Sequence, residues 1–201
     1  QAITSSFNLR STLNTLLSQV IAQLHVDAAD VLLLDADGQT LKYAARQGFR
    51  TKSVEVTSVG VGDSHAGRAA KEHRLIRIEN LKDPPHNQLL TALLAGEEFV
   101  CYYGAPLIAK GEVKGVLEVF HRMSLQPYPE WIDFLNTLGG QAAIAIDNAT
   151  LFKGLQLSNI ELTMAYDATI EGWSRAMDLR DKETEGHTQR VTEMTMRLAQ
   201  A

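Results

Sequence analysis

Apolar spacing changes at Pro129 and divides the chain into two kinds of structure. Before Pro129, short apolar runs alternate with turn residues such as Asp-Ala-Asp-Gly at 35–38, a pattern typical of strands joined in hairpins. After it, one apolar face repeats every seven residues from Leu135 to Phe152, the pattern by which two helices supercoil. We therefore expect a compact domain followed by one nearly continuous helix that reaches about Met177, with a phase change in its spacing.

Spacing within the first part predicts a definite order of elements. Apolar residues recur at three- and four-residue steps over 8–25, which predicts an amphipathic helix. Asp63 or Ser64 can cap a short helix, and the prolines at 84–85 break any regular element. The predicted strands are 31–35, 41–46, 75–78, 99–108 and 115–121, and a further helix is expected around 89–94.

Charge and cysteine content exclude several classes of protein. The chain of 201 residues has a net charge of -5, so it lacks the excess of Lys and Arg by which proteins bind nucleic acid polymers or anionic membranes. Its one cysteine, Cys101, cannot form an intramolecular disulfide, which indicates a reducing compartment. No apolar run reaches the roughly 18 to 20 residues that span a bilayer. We expect a cytoplasmic location, unless an anchor precedes the segment in its parent protein.

The first part resembles a GAF domain over about residues 8–152. The resemblance rests on the segment Val-Gly-Asp-Ser-His-Ala-Gly-Arg, on the strands Ala-Pro-Leu-Ile and Gly-Val-Leu-Glu-Val, and on the helix Gln-Ala-Ala-Ile-Ala-Ile-Asp-Asn-Ala. The matching positions are Gly62, Ala66, Gly67, Arg68, Ala105, Pro106, Leu107, Gly111, Gly115, Val116, Leu117, 141–146 and Asn148.

This resemblance implies an α+β fold. It implies a GAF-like antiparallel sheet with flanking helices, in which the first and last helices cover one face and a small-molecule pocket lies on the other, followed by a long C-terminal signalling helix. In this family the two terminal helices commonly pair between protomers, so a homodimer through them is expected. We assign residues 1–152 to this sensor domain.

The ligand does not follow from the resemblance, because GAF domains bind cyclic nucleotides, haem, bilins, metabolites or nothing. The Asn-Lys-x-Asp-like signature of members that bind cyclic nucleotides is not visible. Bilin attachment uses a Cys beside a His, whereas Cys101 is followed by Tyr102 and Tyr103. The methionine sulfoxide reductases of this fold use several cysteines. We therefore expect an unidentified small-molecule ligand and neither of these special chemistries.

Two predicted strands supply candidate pocket residues. Phe99, Cys101 and Tyr103 alternate along one strand and are expected to share a face, where they line the pocket or fill the core. On the next strand, Glu118 and Phe120 share a face with each other. If that face is the pocket, Glu118 binds a donor of the ligand; if the strand is an exposed edge, Glu118 is solvated.

His65 and Arg68 lie at the start of the predicted short helix. Backbone N–H donors and positive charge at a helix start favour anions, so both residues are candidates for binding an anionic ligand. Alternatively, Arg68 is the partner in a structural salt bridge.

The end of the chain resembles the opening of an HD-GYP domain, a metal-dependent phosphohydrolase that linearises cyclic dinucleotides. The later motifs of that family would lie beyond Ala201, so we expect residues 171–201 to be an incomplete start of such a domain, joined to the sensor by a linker helix at 153–170. The fragment itself is then not catalytic. The matching residues are Arg180, Asp181, Thr184, Gly186, His187, Arg190 and Val191.

Glu183 and His187 are the candidate metal ligands of that intact effector. They are four residues apart, which on a helix places them on one face. The resemblance implies a divalent metal of the iron or manganese type in the complete domain, and no cofactor in these 201 residues because two ligands rarely hold an ion tightly. Alternatively, the acidic residues here only favour the start of a helix.

We interpret the chain as the sensor and dimerisation region of a bacterial-type signalling protein whose effector is a cyclic di-GMP phosphodiesterase. In this interpretation, the phase change near Gly154 marks an adjustable segment that carries the signal. Two alternatives stay open: a purely structural dimerisation module without a ligand, and an enzyme within residues 8–152.

Overall fold

The computed structural model describes residues 2–51, 58–83, 96–181 and 187–199. It comprises two compact units, Gln1–Leu151 and Phe152–Ala201. The helix expected around 89–94 lies outside the described residues. The described helices are α1 (Ala2–Leu24), α2 (His65–Glu72), α3 (Pro129–Asp181) and α4 (His187–Ala199), and the strands are β1 (Ala28–Leu34), β2 (Thr40–Gln47), β3 (Ser58–Gly60), β4 (Ile76–Ile78), β5 (Cys101–Ala109) and β6 (Glu112–His121).

Six strands form one antiparallel sheet in the order β3-β2-β1-β6-β5-β4. Both predicted hairpins, β1–β2 and β5–β6, are present. The first turns through Gly38, whose φ of 67° suits glycine, and the side chain of Asp37 accepts from the amides of Gln39 and Thr40. Because β1 pairs with β6, the centre of the sheet joins the two hairpins.

One face of the sheet, the helix face, is covered by α1 and the first turns of α3. The helical spacing that predicts α1 places Leu13, Leu17 and Val20 in this core, where each is almost fully buried. Trp131, near the start of α3, packs on Tyr103 and donates through Nε1 to the carbonyl of Leu24 at 3.1 Å. This bond ties the two helices together.

The opposite face of the sheet carries α2. We call it the pocket face, because the resemblance to a GAF domain predicts the small-molecule pocket on this side. Ser64 caps this helix: its Oγ accepts from the amide of Gly67 at 3.1 Å, as one of the two predicted caps. A Cβ at Gly67 would lie 2.2 Å from the carbonyl oxygen of Gly60, so glycine is required for this close approach. The apolar cluster on this face comprises Ala28, Leu32, Leu41, Ala66, Ala69, Ala70, Ile76, Ile78, Phe99, Tyr102, Val116 and Phe120.

Helix α3 is continuous through Gly154, so the expected linker and the residues that follow it to Asp181 lie on the same helix. Of the twelve large apolar side chains that are exposed among the described residues of α3, seven recur in steps of seven and four, which gives an eleven-residue repeat with no slip at Gly154. Instead of the predicted phase change near Gly154, the apolar spacing changes from the seven-residue repeat seen before Phe152 to this eleven-residue repeat. The stripe comprises Ile144, Leu151, Leu155, Leu162, Tyr166, Trp173 and Met177.

These elements confirm the expected α+β architecture with a long C-terminal helix. Among the described residues, no helix is both long and apolar enough to cross a lipid bilayer.

Candidate functional site

Two acidic side chains face each other in the middle of the sheet. Asp30 on β1 is the direct cross-strand partner of Glu118 on β6, and Glu118 is in turn opposite Gly104 on β5. Asp30 is 0% exposed and Glu118 is 1% exposed. Buried carboxyl groups are rare unless they are paired with donors or cations, so this pair requires an explanation.

Tyr102 completes the group, because its hydroxyl folds back over Gly104. A Cβ at Gly104 would lie 2.3 Å from this hydroxyl, so the glycine leaves the space that the tyrosine occupies beside Glu118. We call Asp30, Glu118 and Tyr102 the acid centre.

The acid centre is short of hydrogen-bond donors. Both carboxylate oxygens of Asp30, Oε1 of Glu118 and the Tyr102 hydroxyl are buried without a partner of good geometry among the described residues. The Tyr102 hydroxyl and the Asp30 carboxyl nevertheless lie close enough to Glu118 to affect its pKa. Most buried polar groups in native proteins are satisfied, which makes three such groups in one place unusual.

Burial dominates the charge state of the acid centre. It raises the pKa of Glu118 to about 7, against an ordinary value of 4.5, although hydrogen bonding from Tyr102 and Asp30 acts in the opposite direction. Burial and the neighbouring Glu118 also raise the pKa of Asp30, and the charge of Arg46 offsets this only in part. At neutral pH the pair therefore holds at least one proton.

Aromatic rings surround the acid centre. The ring of Phe120 lies 5.4 Å from that of Tyr102 and 4.9 Å from that of Phe99, and His65 on α2 lies 5.4 Å from Tyr102. Phe49 packs edge-on against Phe99 and Phe120. The pocket face thus combines two acids with an aromatic wall.

A second group of charges, the edge clasp, consists of the buried Glu97 and the half-buried Asp27 and Arg122. Arg122 follows β6 and donates from Nη2 to Oε2 of Glu97 at 3.1 Å and from Nε to the Glu97 carbonyl at 2.9 Å. Its backbone amide donates to Oδ2 of Asp27 at 2.7 Å. Glu97 also accepts from the amides of Arg50 and Thr51, so every charge in the clasp is compensated.

The pKa values in the edge clasp shift in the direction opposite to those in the acid centre. Burial alone would raise the pKa of Glu97, but the amides of Arg50 and Thr51 outweigh it and hold the pKa below its usual range. The pKa of Asp27 is lowered in the same way, since the Arg122 amide and the charges of His121 and Arg122 outweigh burial. Both acids are therefore ionised at neutral pH.

Four of the predicted site residues meet on the pocket face: His65, Phe99, Glu118 and Phe120. Glu118 is not on an exposed edge, so the solvated alternative is wrong. Arg68 is exposed and donates to Glu72 at 3.2 Å, whereas His65 faces Tyr102. These two side chains therefore do not converge on one anion site.

Cys101 and Tyr103 lie on the helix face, so the expectation that they share a face with Phe99 is wrong. Phe99 precedes β5, which begins at Cys101, so strand alternation does not extend back to Phe99. Sγ of Cys101 lies within 3.3 Å of the carbonyls of Glu79 and Met123, and accepts from the Leu125 amide at 3.2 Å. Both residues belong to the core, as the alternative interpretation held.

Asp30 and Tyr102 were missed by the sequence interpretation. The predicted strand begins at Val31, which left Asp30 outside it, whereas β1 begins at Ala28. The signal was present, since Ala28 and Ala29 are apolar residues that extend the run and Asp30 interrupts it. The position of Tyr102 could be predicted only by assigning the alternating residues of β5 to the correct faces of the sheet.

The predicted metal ligands are only partly described. Glu183 lies outside the described residues, and His187 is the first residue of α4. Among the described residues, no three His, Cys, Asp or Glu side chains form a group that could hold a metal ion.

Two grooves lie along α1, and the smaller is also lined by Tyr43 and Arg46, which lie near the acid centre. They have volumes of about 220 and 340 Å³ and share Arg10 and Asn14 in their linings. Neither is lined by a residue of the acid centre. We therefore regard the pocket face, with its unsatisfied buried groups, as the functional site.

Strand β6 also contacts the part of α3 that belongs to the first unit. Nζ of Lys114 on β6 lies 3.0 Å from Oδ1 of Asp147 on α3, and Nζ of Lys110, in the β5–β6 turn, lies 2.9 Å from Oδ2 of the same carboxylate. The strand that carries Glu118 is thus attached to α3 through an ion pair.

The family model for the GAF domain matches residues 8–147. No curated protein sequence matches the chain. Among solved structures, the GAF domain of a phosphoenolpyruvate-protein phosphotransferase from Coxiella burnetii is 22% identical, with a TM-score of 0.65 over 73% of this chain and 86% of that chain.

Two further solved structures have the same fold. The second GAF domain of DevS from Mycobacterium smegmatis is 18% identical, with a TM-score of 0.58 over 73% of this chain and 99% of that chain. A type II free methionine-R-sulfoxide reductase from Thermoplasma acidophilum is 16% identical, with a TM-score of 0.60 over 72% and 96%. At these identities the likeness concerns the fold alone.

Proposed function

This chain belongs to the GAF domain family, and from that premise we propose that it is the sensory and dimerisation region of a bacterial-type signalling protein. Such domains are typically regulatory modules. The proposal adds two specific assignments: the pocket face around the acid centre binds the signal, and α3 carries the response.

The observation that carries this proposal is the double role of β6. Its residue Glu118 lies in the acid centre, and its residue Lys114 pairs with Asp147 on α3. A ligand that binds two arrangements of β6 unequally would shift the position of α3, which is the thermodynamic requirement for signalling.

We propose a homodimer in which the exposed stripe of α3 is the contact. The stripe residues are 51–70% exposed in one chain, and Leu157 and Ile160, on the opposite side of the helix, are 51% and 42% exposed. An eleven-residue repeat keeps apolar side chains on one face of a helix, since eleven residues complete three turns to within about 20°. A second copy of the same helix supplies a matching repeat. The apolar side chains of α1 are mostly buried in their own domain, so α3 provides the main contact.

The oligomeric state and the retained ligand test this function together. A native mass spectrum of the purified protein is expected to show a dimer that carries a defined extra mass. Leu162→Asp in the stripe is expected to weaken the dimer at least tenfold, measured by analytical ultracentrifugation. Leu157→Asp, at a side chain 51% exposed on the opposite side of α3, is the matched control. A monomeric wild-type protein, or equal weakening by both variants, would contradict the dimer.

A ligand-free dimer would instead support the second candidate, a purely structural dimerisation module. The third candidate, an enzyme within residues 8–152, is disfavoured by the burial of Cys101, which is 0% exposed. The buried free thiol also agrees with the cytoplasmic location that we propose.

We further propose that the effector regulated by this module is an HD-GYP cyclic di-GMP phosphodiesterase. The support is the sequence motif between Arg180 and Val191 alone. A chain that carries the complete effector motif is expected to bind a divalent iron or manganese ion through Glu183 and His187 and to linearise cyclic di-GMP. Intact cyclic di-GMP after incubation with such a metal-loaded chain would overturn this assignment.

A further inference from the structure

The unsatisfied atoms of the acid centre indicate the chemistry of a ligand. Three carboxylate oxygens, two of Asp30 and one of Glu118, are buried without a donor of good geometry among the described residues. Each buried acceptor left without a donor costs about 1–3 kcal/mol, and more when it is charged. The proton held by the pair can form a hydrogen bond to one of these oxygens. The others require donors from elsewhere.

Protein groups near the acid centre offer little further compensation. Arg46 is close enough to lower the pKa of Asp30, yet burial and Glu118 keep that pKa raised. Tyr43 adds another hydroxyl whose pKa is raised by burial and by both acids. Two acids and two buried hydroxyls thus lie near one guanidinium, a set of groups that favours a bound cation over phosphate or carboxylate ligands.

The neighbouring side chains favour an organic cation over a metal ion. The acid centre has only two carboxylates, and no group of three metal-ligating side chains occurs among the described residues. Phe120, Phe99 and Phe49 form an apolar wall beside it. Aromatic faces attract ammonium groups and accommodate the hydrocarbon part of a ligand.

We propose that the acid centre binds the protonated primary amine of a small ligand, R–NH3+, with R against the aromatic wall. An ammonium group has three N–H donors, which is enough for the two carboxylate oxygens that the proton of the pair leaves without a donor. This inference rests on the proposed sensory function and specifies the class of its signal.

Benzylammonium is the probe, because it joins a primary ammonium to one aromatic ring. The carboxyl carbon shifts of Asp30 and Glu118 are followed by NMR at pH 8 and constant chloride. A saturable shift is expected. Benzyl alcohol and benzoate, which have the same ring with a neutral or an anionic group, are expected to bind at least tenfold more weakly.

Variants assign the binding to the acid centre. Asp30→Asn and Glu118→Gln are each expected to weaken benzylammonium binding at least tenfold. Asp35→Asn removes an exposed acid that pairs with Lys42 and is expected to leave the binding unchanged. Dispersed amide spectra of all three variants establish that the fold is intact. Unchanged binding in both centre variants, or equal binding of benzyl alcohol, would overturn the proposal.

Comparison of these probes distinguishes a failure of this inference from a failure of the proposed sensory function. Saturable binding of benzoate or benzyl alcohol to the pocket face, without preference for the ammonium, refutes the cationic class and leaves a ligand-binding sensor. If neither benzylammonium nor methylammonium gives a saturable shift and the native mass spectrum shows no retained molecule, both proposals fail.

Discussion

The edge clasp and the acid centre each contain a fully buried glutamate, but only the clasp supplies its donors. Glu97 is fully buried and accepts from Arg50, Thr51 and Arg122, and its pKa is lowered. Glu118 is equally buried, lacks a donor to Oε1, and its pKa is raised to about 7. The same residue type in the same domain thus has two opposite environments.

This difference separates a structural role from a binding role. The clasp joins three segments, since Arg122 also reaches the carbonyl of Gly48, and each of its charges stabilises the fold only while its partner is present. The acid centre, with buried oxygens that have no donor among the described residues, is expected to destabilise the fold when no ligand is bound. Proteins retain such groups where function requires them.

The largest expected effect on stability comes from a substitution that breaks the edge clasp. Arg122→Met leaves Glu97 and Asp27 without their main cation, and we expect the free energy of unfolding to fall by about 3–5 kcal/mol. Urea unfolding followed by circular dichroism measures this loss. Arg50→Met is the control, because the Arg50 side chain forms only an exposed pair with Glu98 and its substitution should cost less than about 1 kcal/mol. Similar losses in both variants would show that the clasp is not a structural unit.

The pH dependence of stability distinguishes the two regions next. The folded acid centre binds a proton more tightly than the unfolded chain, so between pH 4.5 and about 7 the folded state holds more protons. The free energy of unfolding should therefore fall as pH rises through this window, by up to about 1.4 kcal/mol per pH unit for one proton, and level off above it. The clasp acids have lowered pKa values, so their contribution is lost only at lower pH.

Thermal unfolding from pH 4.5 to 8 tests this dependence. The double variant D30N/E118Q is expected to lose the decline, because neither replacement titrates. A decline of the same size in that variant would assign the titration to other groups.

Substitution within the acid centre should have a smaller effect of opposite sign. Glu118→Gln supplies an amide donor to Asp30 and removes the repulsion between the two acids, so we expect stabilisation by about 1–2 kcal/mol at pH 8. The clasp equivalent, Glu97→Gln, is expected to destabilise the protein. The two variants are compared in one urea series, and destabilisation by both would mean that the acid centre is a stabilising element.

The smallest expected effect concerns the link between β6 and α3. Lys110→Met removes an ion pair in which the lysine is 71% exposed, and we expect a loss of less than about 1 kcal/mol. Lys114→Met removes a pair that is 23% exposed on the lysine side and is expected to cost more. Thermal unfolding of the two variants ranks the contacts, and a greater loss from Lys110→Met would reverse this ranking.

Sequence patterns predicted the elements better than the faces of the sheet. Spacing predicted α1, both hairpins, the Ser64 cap and a helix across Gly154, because these depend on local periodicity and capping. Strand alternation put Glu118 and Phe120 on one face but left open whether that face was the pocket or an exposed edge. Cys101 and Tyr103 were assigned to the wrong face, since the predicted strand begins at Phe99, whereas β5 begins at Cys101 and alternation does not hold between them.

The acid centre could not be recognised as a unit from the sequence. Asp30 and Glu118 are far apart in the chain and meet only because β1 pairs with β6 in one particular register. The register follows from packing on both faces. The missing donors are a property of the folded site and become visible only when all neighbours are in place.

Because Cys101 is buried, the rate at which its thiol is modified can be used to measure local opening of the folded chain. Its thiol is the single one in the sequence, is fully buried, and is held between the carbonyls of Glu79 and Met123, where β5 meets the segment that leads into α3. A thiol reagent can modify it only when this junction opens. The modification rate under native conditions therefore reports how often the sheet and α3 separate locally, without any label or mutation.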